Sequence, residues 1–127
     1  MLWVWLVVLG VCAHLFFVMA LVGIARGKYD VKAPATSGHE MFERHNRVHQ
    51  NSLEQVITFL PLLAICALSG TPVVAACAGA VFLLGRIIYG ISYVKDPDKR
   101  TVGFLMGYLA QVVLILLSGY NVIVALI

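Results

Sequence analysis

The sequence predicts an all-α membrane protein, a single four-helix transmembrane bundle over residues 1–127, on three observations. Formal charge is confined to two short islands, Arg26–Glu54 and Arg86–Arg100, while Leu2–Ala25, Val56–Gly85 and Thr101–Ile127 carry none. Apolar side chains make up 61% of the chain and charged ones 12%, whereas roughly 25% of an ordinary soluble domain is charged. The apolar runs are continuous rather than alternating, which argues against barrel strands. The 127 residues accommodate four crossings of about 20 residues each, with short loops and no extramembrane domain.

The first span reads as Leu2–Ala25, long enough to cross and without the basic leading region of a cleavable signal peptide. His14, alone in it, reads as a satisfied bundle histidine. Gly27–Gly38, with Pro34 and Ser37, has a loop composition. The second span reads as Phe42–Leu68. Its apolar part, Val56–Leu68, is too short to cross alone, so the helix begins among polar residues. Arg44, Arg47, Asn51, Glu54 and Thr58 recur at steps of three and four and share one face. A lone charge in hydrocarbon is costly, so this face looks into a bundle, a subunit contact or a wet cavity. It is either a structural lock, with Arg47 and Glu54 paired between helices, or a functional stripe.

Ser69-Gly70-Thr71-Pro72 reads as a tight turn, with Pro72 suited to a helix start. The third span, Thr71–Tyr93, carries Arg86, Tyr89 and Tyr93 on one face, and Arg100 follows past a break at Lys95–Asp98. The tyrosines are either an interfacial belt or ligand contacts, and Arg100 is either a charge anchor or a site residue. The fourth span reads as Thr101–Leu126. Gln111 in it is expected to hydrogen-bond across helices, and the glycines between Gly79 and Gly119 to permit close helix approach. Together the two stripes offer donors for several carboxylates, one carboxylate for an amine, and a cation beside a hydroxyl. That inventory suits a small, zwitterionic, multiply acidic ligand.

Every Lys and Arg except Arg86 lies in or beside the first and third loops. Those loops, and the site beside them, are therefore expected in the cytoplasm, with both termini outside. The net charge of +3 reflects this asymmetry and implies no nucleic-acid partner, although a basic rim suits the headgroups of membrane lipids. Cys12, Cys66 and Cys77 lack any paired spacing and read as small buried hydrophobes. His45 and His49 have the spacing of a helical metal pair, but no Glu follows His45 and no third ligand is evident, so no metal is expected. There is no Ser-His-Asp set, phosphate loop or nucleotide fingerprint.

The string from Phe42 to Glu54, FERHNRVHQNSLE, resembles the F-E-R-x-x-R-A-H-x-N-x-x-E signature of the MAPEG family, the membrane-associated proteins in eicosanoid and glutathione metabolism. The R-x-x-Y-x-x-x-Y-x(6)-R pattern on Arg86, Tyr89, Tyr93 and Arg100 is also similar to theirs. The resemblance covers essentially the whole chain. It implies a four-helix protomer, a homotrimer, and a glutathione site between neighbouring subunits near the cytoplasmic face. By resemblance, Arg26 and Arg47 hold glutathione carboxylates, Asn51 bonds the peptide and Glu54 accepts the glutamyl amine. His49 falls at a polar contact, and Arg86, Tyr89 and Tyr93 line the same site. Arg100 matches the residue that activates the thiol, assisted by Tyr93, with the Thr101 hydroxyl as a further contact.

The activity implied is that of a glutathione transferase, with possible peroxidase chemistry, acting on a hydrophobic second substrate from the bilayer. The alternatives are a non-catalytic lipid-binding scaffold of the same family and a small drug/proton exchanger. An exchanger carries a membrane-embedded carboxylate in its first helix, which this chain lacks. Compact loops and no retention signal point to a bacterial inner membrane. Val48 stands where the family has a small Ala, Pro61 comes later than the usual helix-two Pro, and Gln55 replaces the Tyr of leukotriene-C synthase. These departures argue against assigning an eicosanoid product.

Overall fold

A computed structural model describes residues 1–127. Four long helices account for nearly all of it: α1 (Leu2–Lys28), α2 (Glu40–Leu68), α3 (Pro72–Lys95) and α4 (Thr101–Leu126), with a 3₁₀ turn at Pro97–Arg100. All four are long and apolar enough to cross a membrane. The expected spans are thus found, with α1 and α3 running beyond the limits read from the sequence. The extra turns hold Arg26, Lys28 and Lys95, cations favoured at a helix C-terminus, where unpaired carbonyls carry partial negative charge.

The helix boundaries from the start of α2 to the 3₁₀ turn have local causes. The His39 ring accepts from the Met41 N–H at the start of α2. The α2–α3 link turns at Gly70, whose φ of 109° is open chiefly to glycine. Thr71 Oγ1 then donates to the Cys66 carbonyl at 2.9 Å, and Pro72 opens α3. After α3, Asp96 Oδ1 accepts from the Asp98 N–H at 3.2 Å and nucleates the short turn that leads into α4.

In the bundle, α1 packs on α2 and α3, while α4 packs on α3 and α2. The core is narrow and aromatic at its centre, where Phe59 of α2 stacks on Phe82 of α3 with ring centroids 3.8 Å apart, flanked by Val11, Leu63 and Leu114. Outward positions are occupied by large apolar side chains such as Trp3, Phe16, Leu84 and Leu116. Polar bonds tie α4 to α2. The Thr58 hydroxyl donates to Gln111 Oε1 at 2.6 Å, and Gln111 donates in turn to Gln55. At the far end Asn121 donates to Thr71 Oγ1 at 2.9 Å and Ser69 Oγ at 3.1 Å. The expected interhelical bond of Gln111 is therefore present.

Helices α3 and α4 meet backbone to backbone. A methyl group on Gly103 would lie 2.3 Å from the Tyr89 nitrogen, and one on Gly85 would lie 2.9 Å from the Gly103 carbonyl oxygen. Small residues at these positions permit the approach, as in close-packed membrane helix pairs. Gly103→Ala is expected to separate the pair and destabilise the detergent-solubilised protein by about 1–3 kcal/mol. Gly119→Ala, with open space around it, is expected to stay within about 0.5 kcal/mol of the parent. Thermal unfolding followed by circular dichroism compares the two, and equal melting of both variants would refute the close-approach role of Gly103.

Candidate functional site

Where α2, α3 and the start of α4 converge, they leave a cleft of about 460 Å³. Its wall is formed by Arg47 and Asn51 from α2, Tyr89 and Tyr93 from α3, and Arg100, Thr101, Phe104 and Leu105 around the start of α4. The two stripes read from the sequence thus face one another across a common space. Tyr89 and Tyr93, one helical turn apart, stack with centroids 5.5 Å apart and form one side. The opening turn of α4 forms another, and a helix N-terminus favours negative charge.

The floor of the cleft is held from behind by a buried cation. Arg86 is only 1% exposed. Its Nη2 donates to Asn51 Oδ1 at 2.9 Å and to Ser52 Oγ at 3.0 Å. The guanidinium also lies 4.3 Å from the centroid of the Tyr89 ring, a cation–π arrangement strengthened by the dry surroundings. Arg86 is therefore not part of the cleft wall. It orients two residues that are, Asn51 and Tyr89.

The remaining residues of the second-span stripe divide among several tasks. Arg47 and Glu54 approach each other at 3.7 Å, both about half-exposed, and the contact lies within α2 rather than between helices. A pair this long and this exposed contributes little and opens easily. Arg44 donates from Nη1 to the carbonyls of Val94 and Lys95 at 2.9 and 3.0 Å, and from Nη2 to Glu40. It thereby caps the end of α3. Thr58 belongs to the Gln111 bridge.

Arg26 and His49 are outside the cleft. The Arg26 guanidinium packs 4.7 Å from the Phe42 ring centroid and donates to the Ala35 carbonyl at 2.7 Å, holding the first loop. His49, two residues from both Arg47 and Asn51, points to another side of α2. Val48 is buried against Tyr89 and Val18. Its bulk is accommodated by Gly90, where a methyl group would lie 3.4 Å from Val48 Cγ1. Gln55, the other departure, is absorbed by the bridge to Gln111.

Sequence reading missed three participants. Phe104 and Leu105 form the apolar part of the wall, and their spacing of four from Arg100 and Thr101 was the available signal. Ser52 is fully buried and bound to Arg86. A serine among polar neighbours gives no such indication by itself.

Chemically, the cleft sets two guanidiniums, a carboxamide and two phenols beside an apolar wall, with a carboxylate at its edge. That chemistry suits a small, acidic, polar guest, and the cleft's volume falls within the usual range for small-molecule sites. The fold and cleft define an integral multi-pass membrane protein with a polar cleft beside an apolar wall. The chain belongs to the MAPEG family, whose pattern residues 2–120 match.

Among its relatives, an uncharacterized protein of Synechocystis sp. is 48% identical over 102 residues, covering 80% of this chain and 74% of the relative. Human microsomal glutathione S-transferase 2 is 33% identical over 115 residues, 91% of this chain and 78% of that protein. Bovine leukotriene C4 synthase is 30% identical over 92 residues, 72% of this chain and 61% of that protein.

Ser52→Ala tests the buried clamp without touching the cleft wall. It removes one acceptor from a desolvated guanidinium at nearly constant volume. Stability is expected to fall by about 1.5–3 kcal/mol, the range for a hydrogen bond to a charged group. Equilibrium unfolding in mixed micelles measures it, and an unaltered unfolding curve would mean that Arg86 does not depend on Ser52.

Proposed function

We propose that this protein is a glutathione-dependent membrane transferase whose cleft binds glutathione and holds its sulfur as a thiolate for attack on apolar electrophiles or lipid hydroperoxides. The observation that carries this reading is the convergence of Arg47, Asn51, Tyr89, Tyr93, Arg100 and Thr101 on one space. Two cations match two carboxylates, and glutathione transferases stand among the relatives.

In this reading Arg47 binds a glutathione carboxylate and Asn51, fixed by Arg86, bonds the peptide. Glu54 takes the glutamyl amine in exchange for its weak contact with Arg47. Tyr89 and Tyr93 flank the tripeptide. Arg100 faces the sulfur, with the Thr101 hydroxyl as a second donor and the N-terminal turn of α4 adding favourable potential. A free thiol has a pKa of about 8.5, and lowering it by ~2 units takes about 2.7 kcal/mol of preference for the anion. One guanidinium in a partly dry cleft supplies that.

The thiolate then forms a carbon–sulfur bond with an electrophile as the leaving group departs. With a hydroperoxide it breaks the O–O bond instead: the sulfur takes the terminal OH as a sulfenic acid, and an alkoxide leaves and is protonated. A second glutathione thiol converts the sulfenic acid to the disulfide and water. Phe104 and Leu105 offer the hydrocarbon side from which either co-substrate arrives. Arg47 and Glu54 remain half-exposed, and Arg26 lies outside the cleft of its own chain. A neighbouring copy that covers the first pair and presents its own Arg26 completes the site, which supports a homotrimer. The basic loops support a cleft on the cytoplasmic face, and a cyanobacterial relative supports a bacterial inner membrane.

Two variants test the roles. Arg100→Ala is expected to retain glutathione by calorimetry but to lose the thiolate ultraviolet absorbance and at least about 90% of conjugation, the least expected from losing a charge-stabilising donor. Undiminished turnover would remove Arg100 from the mechanism. Glu54→Gln is expected to weaken glutathione binding by about 1–3 kcal/mol through a lost charged hydrogen bond. Equal affinity would reject the amine contact. Glutathione binding without conjugation of any electrophile in the parent protein would favour the non-catalytic scaffold.

A further inference from the structure

On the opposite side of α3 from the cleft lies a second, larger cavity, a groove of about 600 Å³ between α1 and α3. Its walls are mostly apolar, with Ala13 and Phe17 on α1 and Leu83 and Ile87 on α3, and they also carry His14 and, from α2, His45. The buried Nε2 of His14 has no partner, so this is not the satisfied histidine expected from the sequence. It runs from Gly10 to Leu21 along α1, about 17 Å at the helical rise, which is close to the depth of one leaflet of a ~30 Å hydrocarbon core. At the loop end it meets a polar cup of about 550 Å³, lined by Arg44, Ser92, Lys95, Asp96 and Lys99. The groove and the cup share Ile91 and Lys95, so one ligand can occupy both.

We propose that groove and cup together form a selective binding site for an anionic phospholipid, with one acyl chain in the α1–α3 groove and the headgroup phosphate in the cup. Two physical arguments identify the occupant. An apolar furrow on a membrane span does not stay empty, because its walls lose dispersion contacts, and water finds polar partners only locally, at His14 and His45, not along its length. Acyl chains are the surrounding solvent. The cup then selects among lipids by charge.

Three cations face one carboxylate in the cup. Arg44 is committed to the end of α3 and to Glu40. Lys99 has only a loose contact of 3.6 Å with Asp96 and is largely exposed. Lys95 forms no salt bridge in the chain. The two lysines are therefore available to a phosphate at the depth where a headgroup lies, and each basic residue there favours an anionic surface. The site is separate from the glutathione cleft, which uses Tyr89 and Tyr93 on a different face of α3.

The test is native mass spectrometry of the full-length protein released from nanodiscs of palmitoyl-oleoyl phosphatidylglycerol mixed with its phosphatidylcholine counterpart. The parent is expected to retain phosphatidylglycerol in preference. The double variant Lys95→Gln/Lys99→Gln is expected to reduce that retention by roughly thirtyfold while phosphatidylcholine retention stays constant. Ala13→Phe, which fills the groove from an exposed small position, is expected to reduce retention of both lipids with helicity and thermal midpoint unchanged.

Equal retention of the two lipids by the parent, unaffected by the lysine changes, would mean an unselective annulus and would overturn the proposal. Competition by soluble glycerophosphoglycerol that Ala13→Phe does not weaken would mean a headgroup-only site and overturn the groove. Ala13→Phe dissociating an oligomer without altering lipid retention would assign the groove to a second copy of the chain, again overturning it.

Discussion

A guanidinium sealed between two membrane spans must find its acceptors inside the protein, and the pairing of α2 with α3 follows from how Arg86 is held. It is held through Nη2 alone, its buried Nε having no partner. Its acceptors, Asn51 and Ser52, are adjacent residues of α2, and its π partner, Tyr89, is on its own helix. A slip of α2 against α3 by one turn would leave the cation without acceptors at a depth where no water replaces them. That penalty fixes the register of the two helices. The register in turn sets Arg47 and Asn51 opposite Tyr89 and Tyr93. The buried cation is thus a specificity device more than a source of net stability, in line with the general behaviour of buried charges.

The third side of the cleft depends on a different constraint. Arg100 belongs to a 3₁₀ turn and Thr101 opens α4, so their positions follow from where α3 stops and how closely α4 returns. Arg44 fixes the first by engaging the last carbonyls of α3. Gly85 and Gly103 fix the second by carrying no side chain of their own at the contact. Farther along, the Thr58–Gln111–Gln55 bridge and the Asn121 contacts prevent α4 from sliding. Residues that touch nothing in the cleft therefore determine its width.

This division explains how far the sequence could be read. Spans were legible because hydrocarbon tolerates only long apolar segments, and loops because charge is excluded from those segments. The pairing of the two stripes was legible because helical period converts spacing into a common face, and a polar face must be turned from lipid. Period does not say which of several polar neighbours a side chain chooses. Arg86 shares its face with Tyr89 and Tyr93 on paper, yet it reaches inward, because long guanidinium arms extend to the nearest fixed acceptors. Arg44 caps a helix fifty residues away and Thr58 joins a network on α4, choices set by three-dimensional proximity. Phe104 and Leu105 were hidden for the opposite reason: an apolar residue in a membrane helix carries no contrast with its surroundings.

The placement of charge around the cleft bears on how a thiolate could persist at a membrane boundary. Full burial would raise the cost of the anion along with the strength of each attraction, and full exposure would screen Arg100 to little effect. This cleft lies between the limits. Its back wall is dry, formed by Tyr89 at 3% exposure over a buried Arg86, whereas Arg100 and Thr101 are exposed at its rim. Field lines from Arg100 are bounded on one side by low-dielectric protein, so its charge is felt across the cleft more strongly than in water. Under the proposed function, a polar tripeptide would still enter from the aqueous side, and an apolar co-substrate would meet its sulfur from the side of Phe104 and Leu105. In the proposed mechanism, a cation at the rim rather than in the core reconciles these requirements, and the buried arginine, Arg86, has only to position its neighbours.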